Sequence, residues 1–174
     1  MTSPCMIDFE ASSLSSDSYP IEVAWSTPDG AIESHLIRPH WSWTDWDEYA
    51  EREIHRISRE TLRTDGKSTR EVAMVMNSAL AGQTVYSDAP EFDGHWLERL
   101  FEAAGLEPAF EIGSVYPLFP NPISSADFSR LTTEARSRVP GQHRAAWDVE
   151  FLLELWRLSR ADSAHETKRR EGKT

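Results

Sequence analysis

Apolar and polar positions alternate with a period of two over the first part of the chain and recur at helical spacing further on. Residues 4–11 read as a strand that sends Ile7 and Phe9 to one side and Asp8 and Glu10 to the other. A polar turn at Ser12–Ser18 leads to a second strand, Pro20–Ser26, whose apolar positions are Ile21, Val23 and Trp25. Pro28-Asp29-Gly30 is a turn, so the third strand, Ala31–Ile37, returns antiparallel as a hairpin. Residues 39–66 read as irregular to helical, with a helix over Glu48–Ile57. Trp41, Trp43 and Trp46 read as a mini-core that folds this loop down, with a base-stacking surface as the alternative.

Ser68-Thr69-Arg70-Glu71 has the form of a capping box, and Val72, Val75, Met76 and Leu80 follow at helical spacing up to Gly82. Thr84–Tyr86 is a short strand. Phe92, Trp96, Leu100 and Ala104 mark a helix closed by Gly105, and Phe110–Val115 reads as the last strand. A proline-rich loop, Pro117–Pro122, precedes a helix over Ser125–Arg138; Pro140-Gly141 breaks the chain before a final helix from His143 to about Leu158. Residues 1–160 form one domain, and 161–174, with Lys168-Arg169-Arg170, read as a charged, disordered tail. Strands first, then strands alternating with helices, predict an α/β mixed sheet with helices on its faces and later strands parallel to the first.

Composition narrows the setting. A chain of 174 residues, 39% hydrophobic and with seven tryptophans, is long enough for one packed core. Its single cysteine, Cys5, has no internal partner for a disulfide, which fits a reducing, cytoplasmic location. No leader-like start and no long apolar run is present, so no membrane association is expected. The net charge of −11 disfavours a tight duplex binder and leaves open a metal-dependent enzyme acting on short or single strands.

The acids are the positions that patterning does not explain. Asp93 precedes Leu97 by four residues and Leu100 by seven, at the N-terminal end of an apolar stripe whose polar side carries Glu91, Glu98, Arg99 and Glu102. Asp148 stands four before Leu152 and eight before Trp156, again on the buried side. An acid in a first helical turn ordinarily caps the helix or faces its dipole, and Asp88 is assigned that N-cap role. Asp93 and Asp148 lie too deep in their stripes for it. Four inward carboxylates, Asp8, Glu10, Asp93 and Asp148, cannot all ionise side by side without a cation between them. Oxygen-only donors suit Mg²⁺ or Mn²⁺, and two such ions about 4 Å apart suit a phosphodiester held for in-line attack by water. His143 lies five residues before Asp148, about 140° away on an ideal helix. It is therefore placed on the loop or first turn, where its imidazole can take a proton from water; a surface histidine capping the helix is the alternative.

Taken in order, these residues resemble the DEDDh 3′–5′ exonucleases, the group that includes ribonuclease T, oligoribonuclease and the polymerase proofreading subunit. The Asp-x-Glu motif is Asp8-Phe9-Glu10, the second motif runs from Asp88 to Phe92-Asp93, and the His-x4-Asp motif spans His143 to Asp148. The resemblance implies a ribonuclease H-like fold: a five-stranded mixed sheet, second strand antiparallel, flanked by helices. It implies two Mg²⁺ or Mn²⁺ ions on Asp8, Glu10, Asp93 and Asp148, with His143 as general base. Family members carry a His-Gly-Ile segment at the 3′-terminal nucleotide; here it is His55-Arg56-Ile57, with arginine replacing the glycine. Leu14 holds the place of a leucine that wedges against the terminal base, and the resemblance implies substrate contacts at Phe9, Leu14, His55 and Ile57. Ala11-Ser12 and Ser87-Asp88 depart from the usual Thr-Thr and His-Asn. The second motif is one residue longer than in many members, which makes Asp88 a rival of Asp93; the helical face favours Asp93.

The expected activity is metal-dependent removal of nucleoside 5′-monophosphates from a free 3′ end of RNA or DNA, single-stranded or short, with a homodimer among the assembly states of the family. The alternatives are a non-catalytic module for strand ends or a polymerase partner, and a phosphodiesterase on small nucleotides.

Overall fold

The computed structural model describes residues 2–119, 123–141 and 143–171, with side chains to residue 161. Its centre is β1 (Cys5–Ala11), flanked by β2 (Pro20–Ser26), β3 (Ile32–Leu36), β4 (Thr84–Ser87) and β5 (Glu111–Ser114) in the order β3-β2-β1-β4-β5. β2 is antiparallel to β1 and to β3, while β4 runs parallel to β1 and β5 parallel to β4. The expected hairpin and the expected parallel later strands are both present. The helices are α1 (Arg59–Asp65), α2 (Thr69–Leu80), α3 (Pro90–Ala104), α4 (Ser125–Arg138) and α5 (Ala145–Glu171).

Two apolar layers sandwich the sheet. Ile7 and Phe9 of β1 and Val23 and Trp25 of β2 join Met76 of α2 and Leu100 of α3 in one layer. Met6 and Ala24, on the opposite face, join Leu131 of α4 and Val149 and Leu152 of α5 in the other. β1 is therefore covered on both sides, and Asp8 and Glu10 share the face of Met6, toward α5. A hydrophobic-in, polar-out pattern would have left that face to solvent; α4 and α5 settle against it and turn the two acids into interior groups.

Ser68 and Glu71 form the predicted capping box on α2, with the Ser68 backbone N–H donating to Glu71 at 2.9 Å and the Glu71 N–H to Ser68 Oγ at 3.3 Å. The expected helix over 48–57 starts at Glu48 as read but ends early, in one wide turn, Ala50–Ile54, closed by the His55 N–H on the Ala50 carbonyl at 3.1 Å. Arg56 stops it, because its φ of 57° is left-handed. Trp43 stacks on Tyr19 at 5.1 Å and Trp46 meets His55 edge-on at 5.9 Å, as a mini-core requires. Trp41 stays outside it, 87% exposed. The final helix runs beyond the expected end near Leu158 to Glu171, into the segment read as a charged tail, of which 172–174 lie outside the described residues. Residues 120–122 of the proline-rich loop lie outside them as well. Among the described residues no helix is long and apolar enough to cross a membrane.

The left-handed backbone at Arg56 carries a cost for any side chain: a Cβ in this region costs roughly 1–2 kcal/mol, while glycine adopts it freely. Arg56→Gly is expected to raise stability by about 1 kcal/mol or somewhat less, part of the relief being offset by the greater freedom of glycine in the unfolded chain. Urea denaturation checks this, and a destabilised variant would mean that the Arg56 side chain contributes more than its backbone costs.

Candidate active site

β1 carries Asp8 opposite Ala24 and Glu10 opposite Glu22, and its pairing slips by a bulge between Glu10 and Ala11. α5 starts across this end of the strand and brings Asp148 in from its first turn. Asp8, Glu10 and Asp148 each offer an oxygen, and these oxygens lie within 4.8 Å of one another. All three keep part of their surface accessible.

Burial is the largest influence on Asp8 and holds its carboxyl well above the usual carboxylate range, with the charges of Asp93, Glu10, Asp148 and Asp88 adding to it. Glu10 is pushed up to about 8, first by burial and then by Asp148 and Glu22, against the opposing pull of Arg144. Such a group of acids is costly as it stands and gains from a cation. Carboxylate oxygens alone match the preference of a hard divalent ion, and their partial exposure leaves it a way in. The donor set fits Mg²⁺ or Mn²⁺.

Asp93, on the first turn of α3, is 2% exposed and is not one of the three clustered acids. Its Oδ2 accepts a hydrogen bond from the Ser87 hydroxyl. Burial raises its carboxyl to about 7, partly countered by Ser87 and by the Phe9 backbone N–H. Asp88 does not cap α3 as expected: Ala89 takes the N-cap position, with no side-chain cap. The chain leaves β4 one residue too early for Asp88 to reach that place. Its side chain stands instead at the end of the sheet, raised by its surroundings and by the Asp148 charge.

His143 precedes α5, as its spacing from Asp148 required. Its backbone is left-handed, with φ 56°, and its N–H donates to Asp148 Oδ2 at 2.9 Å. Gly141 just upstream lies against the Trp147 indole, where a Cβ would collide with the ring. Pro140-Gly141 is thus more than a break; the missing side chain lets this turn close over α5.

His143 and Glu10 line a mostly apolar pocket of about 410 Å³ together with Phe9, Leu14, Tyr49 and His55. Leu14 is 79% exposed at its rim. His55 is buried; its Nδ1 accepts the Ile57 N–H at 3.0 Å, which puts the ring proton on Nε2, and Nε2 has no hydrogen-bond partner among the described residues. Burial also depresses the His55 pKa, so the ring is a neutral donor. Ile57, by contrast, lies in the core and outside the pocket lining; its backbone serves the site by orienting His55.

Three residues here escaped sequence reasoning. Tyr49, 60% exposed, lines the pocket. Arg136 of α4 reaches Asp148 Oδ1 at 3.2 Å with its guanidinium over the Phe151 ring at 3.6 Å. Arg144 grips Glu22, which is 2% exposed. Arg136 reaches the site through a tertiary contact, whereas Arg144 stands inside the His-x4-Asp motif itself. The one available signal was Glu22, an acid inside the apolar run Ile21-Glu22-Val23-Ala24-Trp25.

No protein-family model and no curated protein matches the chain. Solved structures do. Escherichia coli exonuclease I in complex with a dT13 oligonucleotide superposes with a TM-score of 0.69 at 15% identity, over 95% of this chain and 43% of that one. Its complex with a dA16 oligonucleotide gives 0.68 at 15% identity, over 93% and 42%. Exonuclease I from Methylocaldum szegediense gives 0.65 at 14% identity, over 90% and 40%. The chain spans about two-fifths of the length of these neighbours. At such identities the likeness establishes the fold, the ribonuclease H-like mixed sheet, which agrees with the expected strand order.

Proposed function

We propose that the protein is a metal-dependent 3′–5′ exonuclease that removes nucleoside 5′-monophosphates from single strands. The observation that carries this reading is the meeting of the Asp8, Glu10 and Asp148 oxygens within 4.8 Å, with Glu10 also lining the pocket that His143 lines. In it, Asp8, Glu10 and Asp148 would hold divalent ions, Mg²⁺ or Mn²⁺, with the charge of Asp93 acting on Asp8 beside them. Ions held there would stabilise charge on the scissile phosphate and on the leaving 3′-oxygen.

The chain's own residues do the rest. His143 accepts the proton of the attacking water, and its backbone N–H keeps Asp148 turned toward the other acids. His55 lines the same pocket, whose apolar wall between Leu14 and Tyr49 would receive the terminal base. The net charge of −11 fits a reading in which bound ions, more than a basic surface, attract the backbone. Exonuclease I has been captured with dT13 and dA16, which supports single-stranded DNA as the first substrate to offer.

The test is a 5′-labelled oligonucleotide ladder with Mn²⁺, run on matched DNA and RNA, single- and double-stranded, from dinucleotide to long strand, with EDTA as control. Stepwise shortening is expected. Binding without shortening would favour a strand-end module, and activity confined to the dinucleotide a small-nucleotide phosphodiesterase. His143→Ala is expected to lower kcat by roughly 10²–10⁴-fold, the span of a lost general base, with Mn²⁺ affinity by calorimetry unchanged within about threefold. Equal turnover in this variant removes the general-base role.

A further inference from the structure

We propose that Glu22 and Arg144 form a positioning unit, a half-buried clasp that holds the His143 turn and the start of α5 in register with Glu10. The inference rests on the reading of the site given above, but it concerns two residues that no motif contains as a pair.

Glu22 is 2% exposed and lies directly across β1–β2 from Glu10. A buried carboxylate there needs strong partners, and all but one of those on it come from the segment between His143 and Asp148. Arg144 donates from Nε to Oε2 at 2.9 Å and from Nη2 to Oε1 at 2.6 Å, a two-pronged contact. The Ala145 N–H, at the first turn of α5, donates to Oε2 at 3.2 Å. Ser34 of β3 adds its hydroxyl to Oε1 at 3.3 Å.

The backbone beside this clasp is strained. A non-glycine residue at φ 56° persists only where its surroundings hold it from more than one side. His143 is held on one side by its N–H on Asp148 and on the other by the neighbouring Arg144 and Ala145 on Glu22. Stability alone is a poor explanation for the pair, since buried ion pairs are often replaceable by neutral groups at little cost. What a neutral replacement cannot reproduce is the direction imposed on residues 143–145 from the strand beside Glu10. Arg144 also sets its charge between Glu22 and Glu10 and so moderates the repulsion between them.

The test compares Arg144→Met, Arg144→Lys and the double variant Glu22→Gln with Arg144→Met. Readouts are Tm, amide hydrogen exchange, Mn²⁺ affinity by calorimetry, and kcat against KM. Arg144→Met strands the Glu22 charge and should lower Tm strongly. The double variant should recover most of that loss. Its amides from His143 to Asp148 should nevertheless exchange at least tenfold faster, and Mn²⁺ should bind about 10–100-fold more weakly, as when partners that orient metal ligands are removed. kcat should fall with KM moving less than about threefold, and Arg144→Lys should lie between the wild type and the double variant. Recovered Tm with wild-type exchange and Mn²⁺ affinity would overturn the proposal, as would faster exchange spread over the whole protein. If the double variant does not fold, Arg144→Lys decides by the same local exchange and affinity. A wild type that cleaves no oligonucleotide would defeat the exonuclease reading alone, because exchange and Mn²⁺ affinity still judge the clasp.

Discussion

Asp8→Asn is expected to lower turnover on the order of 10³-fold while raising the Tm of the metal-free protein. Asp8 lies among the other acids: Asp93, Glu10, Asp148 and Asp88 all push its carboxyl up, on top of its burial. An ionised Asp8 is thus the most opposed charge in the site when no cation is bound. Asparagine keeps the shape and removes the charge. Relief worth one pKa unit is about 1.4 kcal/mol, or roughly 3–6 °C in a domain of this size. The gain should grow as pH rises above the ordinary carboxylate range, because the unfolded wild-type chain ionises this acid there while the folded protein resists it, and should vanish only below that range, where both states keep the proton. The same change takes away a ligand oxygen, and the transition-state stabilisation that depends on it amounts to several kcal/mol, on the order of 10³-fold in turnover. Thermal melts in EDTA beside single-turnover assays in Mn²⁺ check both halves. A variant that melts lower at pH 8.5 would show that Asp8 is held by favourable contacts and not by proximity alone.

The second large effect is a pH dependence that a divalent ion reverses. Asp8, Glu10 and Asp93 are all raised in the folded protein, Glu10 to about 8 and Asp93 to about 7. The folded state therefore binds more protons than the unfolded chain between the ordinary carboxylate range, near pH 4, and pH 8. Groups of this kind stabilise fully below their unfolded pKa, and the contribution is lost as pH rises through the folded values. In EDTA the Tm should fall steadily from pH 5 to pH 8.5. Mn²⁺ replaces those protons, so its stabilising effect should grow over the same range and its affinity should rise with pH. Calorimetry at pH 7 in buffers of different ionisation enthalpy should record proton release on Mn²⁺ binding. Asp8→Asn should flatten the slope in EDTA, which separates this site from the general self-repulsion of an acidic chain. A Tm in EDTA that rises from pH 5 to pH 8.5 contradicts the electrostatics of the site.

Much of this was legible in one dimension because the signals are local. Alternation in Ile7-Asp8-Phe9-Glu10 fixes which side chains share a face of a strand, whatever surrounds it. The Ser68–Glu71 box and the helical stripe behind it close their own hydrogen bonds within one turn. The spacing of His143 from Asp148 already excluded a shared helical face, and the turn before α5 is where the structure has it. Local pattern failed where a local conformation is imposed from outside. The helix expected over 48–57 stops at a left-handed Arg56, and Asp88 looked like a cap because the first residue of a helix depends on how the strand before it ends.

By itself, then, the sequence determined the elements, their order and the acids that stand on the wrong face of each. These follow from backbone geometry with a reach of a few residues. Only the tertiary structure decided which acids meet. It brings Asp8, Glu10 and Asp148 within 4.8 Å and turns Asp93 toward Ser87. It also supplies Arg136 and joins Glu22 to Arg144 across 122 residues of chain. Charges act through space, and their distances are set by how helices settle on a sheet, which no spacing along the chain records.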